Sequence, residues 1–195
     1  MDKGYTDVWC GASLISDRWI LTAAHCTRGE KAGNIQALLG EHDYSSNKET
    51  EMIRVGIAEI INHPDYHHQT TDIDFSLLKM KKTIDFSKYS HIRPICLPAD
   101  ASQDYTDFTA TVSGWGTLSS GGSSSKKLRE VDVKVLSNSD CKNSYSYPSS
   151  WITSQMLCAN VDGGGKDACQ GDSGTGRISQ YLNIILACHV MQVVL

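Results

Sequence analysis

Three stretches far apart in this chain carry groups that are chemically useful only together, and that requirement limits the fold more than any local pattern. They are Thr22-Ala23-Ala24-His25-Cys26, the segment Asp74-Phe75-Ser76-Leu77-Leu78-Lys79, and Gly171-Asp172-Ser173-Gly174. A serine hydroxyl is a weak nucleophile until a positioned imidazole takes its proton, and the imidazole in turn needs a carboxylate to hold its tautomer and offset its charge. Taken singly, Gly171 to Gly174 reads as a solvated turn and His25 as an ordinary core histidine. Taken together they demand a fold that returns the chain to one place three times.

The remaining pattern is strand-rich. Trp19-Ile20-Leu21-Thr22, Gln36-Ala37-Leu38-Leu39, Met52 to Ile61, Phe75 to Met80, Thr109 to Ser113 and Leu128 to Leu136 are short β-branched or alternating runs, separated by Gly, Asn, Ser and Asp. In the last of them Val131, Val133 and Val135 share one face and Asp132 and Lys134 the other. Helix signals are confined to a turn at Ala23-Ala24-His25 and to Ser139-Asp140, read as capping a short segment near Cys141. The run from Ser119 to Ser125, nearly all Ser and Gly, reads as a flexible loop.

With 195 residues, 40% of them hydrophobic and 21% charged, the chain has material for one or two globular domains. Its 18 Lys and Arg against 22 Asp and Glu form no basic stripe, and Lys81-Lys82 and Lys126-Lys127 read as solvated pairs, so nucleic acid is not expected as a partner. No membrane partner is expected either: the apolar tail from Tyr181 to Leu195 is interrupted by Asn183, His189 and Gln192 and is too short to span a bilayer. Met1 to Tyr5 does not read as a signal peptide. Seven cysteines suggest an oxidising compartment, and the odd count leaves at least one without an intramolecular partner.

Histidine, then aspartate, then serine is the chain order of chymotrypsin, not of subtilisin or the α/β-hydrolases. Further landmarks stand in family order: Cys10-Gly11-Ala12-Ser13-Leu14-Ile15, His63-Pro64-Asp65-Tyr66, Arg93-Pro94-Ile95-Cys96-Leu97-Pro98, Ser113-Gly114-Trp115-Gly116 and Met156-Leu157-Cys158-Ala159. On these residues the chain resembles a trypsin-like serine protease of the chymotrypsin family between residues 8 and 174. The resemblance implies an all-β fold of two antiparallel six-stranded barrels, the second incomplete. Residues 1–107 would form the first barrel, carrying His25 and Asp74, and 108–195 the second, carrying Ser173 and diverging at 175. Pro98 to Asp107 would be the crossover.

The implied activity is a serine-type endopeptidase cleaving after Lys or Arg through an acyl-enzyme. Ser173 would attack, His25 act as general base and then acid, and Asp74 orient His25, with Asp72 a competitor that fits the pattern less well because no Leu-Leu pair follows it at the same offset. The backbone N–H groups of Gly171 and Ser173 would form the oxyanion hole, and Asp167 would lie at the floor of the specificity pocket. The resemblance also proposes Cys10–Cys26 and Cys141–Cys158 disulfides. It matches Cys96 to a cysteine that tethers a propeptide, and it leaves Cys169 without its usual partner unless Cys188 substitutes.

No organic cofactor is implied. Glu41 and Glu51 match a pair of calcium-ligating glutamates, although Lys48 between them equally suits a solvated hairpin tip. His63, His67 and His68 lack a nearby cysteine for a zinc set, and His63 reads as part of the His-Pro-x-Tyr turn. Polypeptide substrates and protein inhibitors are the implied partners, and a secreted location follows from the family and the cysteines.

Two departures support an alternative, a catalytically inactive homologue acting as a binding or regulatory module. The sequence has no Ile-Val-Gly-Gly segment to pair with Asp172, and Val8 stands where some zymogens place a histidine for that carboxylate. After Gly174 the chain runs Thr175-Gly176-Arg177-Ile178-Ser179-Gln180, unlike the family's closing strands, as an alternative exon, retained intron or frameshift would produce. The expectation is a second barrel with open edges, poor solubility and negligible turnover. Retention of all three triad residues favours the enzyme.

Overall fold

The computed structural model describes residues 10–46, 51–100, 102–118, 122–144, 151–161 and 177–179. Two antiparallel sheets account for most of the regular structure, in keeping with a chymotrypsin-like double barrel. The first sheet is built from β1 (Ser13–Leu14), β2 (Trp19–Thr22), β3 (Gln36–Leu39), β4 (Ile53–Asn62) and β5 (Ser76–Met80), in the spatial order β1-β2-β5-β4-β3. β6 (Thr109–Gly114), β7 (Arg129–Leu136), β8 (Cys158–Asn160) and β9 (Arg177–Ser179) form the second, in the order β8-β7-β6-β9. Short helices α1 (Ala24–Thr27) and α2 (Asn138–Ser144) follow β2 and β7.

Alternation decides which face of each strand is buried. In β5, Ser76, Leu78 and Met80 point into the core while Leu77 and Lys79 lie on the other face, as the two-residue period requires. β4 is long enough to serve two neighbours: Ile53 to Gly56 pair with β3, whereas Ile57 to Asn62 pair with β5. The register shifts between Ile57 and Glu59. A bulge of this kind bends a strand and tightens its twist, which curls the five strands toward a half-barrel around Ile20, Ile35, Ile57, Leu78 and Met80.

The second sheet packs Ala110 and Val112 of β6 against Val133 and Val135 of β7, with Val131 partly buried beside them. On the opposite face Asp132 accepts a hydrogen bond from Thr111 Oγ1 (2.7 Å) and Lys134 Nζ meets Asp107 Oδ1 (2.7 Å). The two sheets join along a short seam. Tyr44 N–H donates to Lys126 O (3.1 Å), Leu128 N–H donates to His42 O (2.9 Å), and Trp115 Nε1–H donates to the same His42 carbonyl (2.9 Å). Leu38, Tyr44, Met52, Trp115 and Leu128 pack around this seam.

Several local expectations shift. β1, β8 and β9 are two or three residues long and were not among the strands read from the sequence; β9 lies in the stretch after Gly174 and pairs with β6 through Ser179 opposite Ala110 and Arg177 opposite Val112. The α2 cap is Ser137, not Ser139-Asp140. Its hydroxyl accepts the Asp140 N–H (3.0 Å), the bond of an N-cap, and donates to Asp140 Oδ2 (2.6 Å). The Ser/Gly loop is anchored at its far end, where buried Ser125 donates its N–H to the Trp115 and Gly116 carbonyls and its hydroxyl to Lys127 O.

Candidate active site

The register of β2 against β5 sets the site. Thr22, the last residue of β2, pairs with Ser76, the first of β5, so the chain leaving β2 and the chain entering β5 meet at one end of the sheet. His25 sits on the single turn of α1 and Asp74 just ahead of β5. Buried Ala23 and Ala24 let α1 lie close on the sheet, and Cys26 is bonded to Cys10, across a Cα–Cα separation of 6.2 Å. At the end of the turn, Thr27 Oγ1 lies 2.6 Å from Asn62 Oδ1 and 3.0 Å from Ser76 Oγ, a buried polar set that ties α1 to β4 and β5.

Asp74 makes two bonds to one residue. Its Oδ1 accepts the His25 backbone N–H (2.8 Å) and its Oδ2 lies 2.6 Å from His25 Nδ1. The carboxylate is buried, with 2% of its side chain exposed, whereas 36% of the His25 side chain is accessible. The hydrogen bond to Asp74 raises the His25 pKa above its ordinary value, and the carboxylate's charge adds to this, against burial, which lowers it. A carboxylate can only accept, so the neutral imidazole carries its proton on Nδ1 and keeps the lone pair on Nε2. That nitrogen lies 3.6 Å from Cys26 Sγ. The pair can therefore take up a proton at Nε2 and hold the resulting charge.

Asp72 lies elsewhere. Its Oδ1 accepts the Thr153 hydroxyl (2.5 Å) from the second half of the molecule, and its backbone carbonyl accepts the His67 N–H (3.0 Å). Thr153 was not singled out in the sequence, where nothing local links positions 81 residues apart. Near Asp74, Tyr66 has a raised pKa, chiefly from burial and further from the Asp74 charge, with Arg28 opposing. Ser173, Gly171 and Asp167, with Asp172, Cys169 and Cys188, lie outside the described residues.

The second disulfide, Cys141–Cys158, links α2 to β8 across a Cα–Cα separation of 6.2 Å, while Cys96 is an exposed free thiol. Glu41 and Glu51 belong to no cluster of three metal-ligating groups among the described residues: Glu41 Oε1 accepts the His42 N–H, and the Glu51 carbonyl faces His91 Nε2 at 3.0 Å. Residues 47–50 of that loop lie outside the description. His63 contacts Asp65, His67 Nδ1 lies 2.9 Å from Thr70 Oγ1, and the His67 and His68 rings stack 6.1 Å apart, but the three histidines form no metal-ligating group among the described residues. Cys10, His25 and Cys26 do cluster, but the two sulfurs are joined to each other and are not thiolate ligands. No helix among the described residues is long and apolar enough to cross a membrane.

A sequence model of the family described as Trypsin matches residues 2–180. The chain belongs to the trypsin family. Among curated proteins of this family it is 39% identical to the serine proteinase stubble of Drosophila melanogaster over 168 residues, which is 85% of this chain and 21% of that protein. It is 39% identical to the venom serine protease Bi-VSP of Bombus ignitus over 85% of this chain and 46% of the relative. Trypsin-1 of Salmo salar is 36% identical over 89% of this chain and 66% of its own length. The chain thus spans less than two thirds of each of these trypsin-family relatives.

Proposed function

We propose that this trypsin-family chain carries the catalytic machinery of a serine endopeptidase that cleaves after Lys or Arg, with Ser173 as nucleophile, His25 as general base and acid, and Asp74 as the group that orients His25. The observation that carries the reading is the pair of hydrogen bonds that Asp74 accepts from the His25 backbone N–H and Nδ1, at 2.8 and 2.6 Å. It fixes the ring, assigns its proton and leaves Nε2 to receive one.

In the reaction Ser173 Oγ attacks the scissile carbonyl while its proton passes to His25 Nε2. The backbone N–H groups of Gly171 and Ser173 stabilise the resulting oxyanion. His25 then gives that proton to the leaving amine, and water repeats the sequence on the acyl-enzyme. Asp74 stays ionised throughout and offsets the imidazolium charge. Apart from substrate and water, the reacting groups belong to the protein, so the chemistry needs no cofactor, and calcium at Glu41 and Glu51 enters no step.

The carboxylate of Asp167 selects a cationic side chain, because an apolar one would leave the charge buried and unpaired. Its position six residues before Ser173 supports this assignment, as it does in the family pattern. Polypeptides are then the substrates and protein inhibitors the further partners. Two disulfides support secretion into an oxidising compartment.

A fluorophosphonate probe tests the reading. Although the divergence after Gly174 argues for negligible turnover, retention of the three triad residues leads us to expect labelling of the chain that disappears in Ser173→Ala, together with cleavage after Lys and Arg in a peptide library. Labelling that survives the substitution, or none on a chain shown to be folded, overturns it.

A further inference from the structure

Asp74 is held in an unusual piece of backbone. The residues on either side of Asp72 both take left-handed conformations, Thr71 at φ 53° and Ile73 at φ 54°. Both are β-branched, and such residues are genuine outliers there. Immediately afterwards the Phe75 N–H donates to the Ile73 carbonyl (2.8 Å), closing a tight turn with Asp74 at its centre. The direction in which Asp74 leaves the chain is therefore set by a conformation that Thr71 and Ile73 do not prefer by themselves. Strained backbone of this kind persists only where its surroundings over-determine it.

Two restraints act on Asp72, between the strained residues. One is local, the His67 N–H to the Asp72 carbonyl (3.0 Å) within the hairpin. The other crosses the molecule, the Thr153 hydroxyl to Asp72 Oδ1 (2.5 Å). Thr153 is itself well fixed. Its carbonyl accepts from Asn138 Nδ2 (2.9 Å), at the start of α2, and from the Met156 N–H (3.3 Å), and its Oγ1 accepts the Gln155 N–H (3.2 Å), which aims the hydroxyl proton outward. α2 and the segment after Thr153 are in turn joined by Cys141–Cys158.

We propose that Asp72 is a positioning residue: by accepting the Thr153 hydroxyl it fixes the turn that presents Asp74 to His25, so the alignment of the His25–Asp74 pair depends on both halves of the molecule. Asp72 acts as a hydrogen-bond acceptor, not as a charge. Asp74 is the carboxylate that bonds His25, while the Asp72 side chain is turned toward Thr153. Sequence order alone makes Asp72 a rival of Asp74; in the fold it is its support.

The test uses the full 195-residue chain and four single substitutions. Asp72→Ala and Thr153→Val remove the bond, whereas Asp72→Asn and Thr153→Ser keep an acceptor and a hydroxyl. The primary readout is the His25 ring titration by NMR on histidine-labelled protein, with Tyr66, which feels the Asp74 charge, and Arg28, which opposes it there, left unchanged. Asp72→Ala and Thr153→Val are expected to move the His25 pKa down toward its ordinary value. Asp72→Asn and Thr153→Ser are expected to hold it near the parent's, and the double variant Asp72→Ala/Thr153→Val to match either single one.

A kinetic arm rests on the protease reading: kcat should fall about ten- to a hundredfold in the bond-breaking variants with KM little changed. An unchanged titration in Asp72→Ala and Thr153→Val overturns the proposal, and so does an Asp72→Asn variant as perturbed as Asp72→Ala, which would make the effect one of charge. Since the titration needs no turnover, a chain without activity sinks the protease reading and leaves this test intact.

Discussion

The two halves of this molecule bury, among the described residues, apolar clusters of different depth. Among the described residues, the first sheet encloses a cluster running from Cys10 and Leu14 through Ile20, Ile57, Leu78 and Met80 to Ile92, whereas the second packs Ala110, Val112, Val133 and Val135 as its buried set. The deeper half holds His25 and Asp74 in a geometry defined by strand register; the shallower half supplies the Thr153 bond to Asp72. The His25–Asp74 dyad is thus seated beside the more extensive buried apolar cluster among the described residues, and close packing of that kind has low compressibility.

The largest effect expected is on catalysis, where depth should make no difference. If both halves contribute one catalytic unit, Ser173→Ala and His25→Ala should each cut kcat by roughly 10⁶, with the double variant no worse than either, measured on an arginine ester or amide. Additive losses would separate the two residues and break the unit.

Stability should separate the halves where catalysis does not. Fully buried Leu78 in the first core should lose about 2 to 5 kcal/mol on substitution by alanine, while Val135→Ala in the second removes two methyl groups, worth about 1.5 kcal/mol. Urea unfolding of the two variants checks the order, and a larger loss at Val135 would reverse the ranking of the two cores.

The disulfides sharpen the comparison because they are nearly matched. Cys10–Cys26 spans 16 positions and Cys141–Cys158 spans 17, so the loop-entropy contributions are nearly equal, about 3 kcal/mol each. Paired Cys→Ser variants should therefore lose similar stability, yet only loss of Cys10–Cys26, which anchors the turn bearing His25, should directly loosen the His25 end of the dyad. Peptide turnover relative to the fraction folded tells the two apart.

The smallest effect is in pH dependence. Because folding raises the His25 pKa, the protonated ring favours the folded state; this contribution is complete below the unfolded value near 6.5 and is lost as pH rises through the folded value. Catalysis runs the other way, since the base must be neutral, and should rise through that same raised value. The difference in stability between the parent and His25→Gln across this range measures the first trend, and the acidic limb of kcat/KM the second.

Much of the deeper half was legible because its strands are long enough to show a period. Ser76-Leu77-Leu78-Lys79-Met80 alternates, and the Leu-Leu pair separates Asp74 from Asp72 by pattern alone. β1, β8 and β9 were not legible, since two or three residues cannot display alternation and such strands exist only through their partners. The α2 cap slipped from Ser137 to Ser139-Asp140 because Ser137-Asn138-Ser139-Asp140 offers four residues that can all cap, and only the bonded amide chooses. Thr71 and Ile73 gave no warning of left-handed backbone, because β-branched residues argue against it. The Asp72–Thr153 bond could not be read at all, because it depends on the docking of one half against the other.

The seam between the sheets has a consequence for what kinds of change this protein can absorb. Of the hydrogen bonds described across it, Tyr44 to Lys126 and Leu128 to His42 run between main-chain atoms, and that of Trp115 ends on a main-chain carbonyl. Side-chain replacement at 42–44 or 126–128 leaves those donors and acceptors in place. A single inserted or deleted residue does not, because it slides one edge past the other and turns each flanking side chain to the opposite face. Length, more than composition, is therefore the property under constraint here, and Trp115, whose indole reaches the His42 carbonyl, is the side chain that measures it.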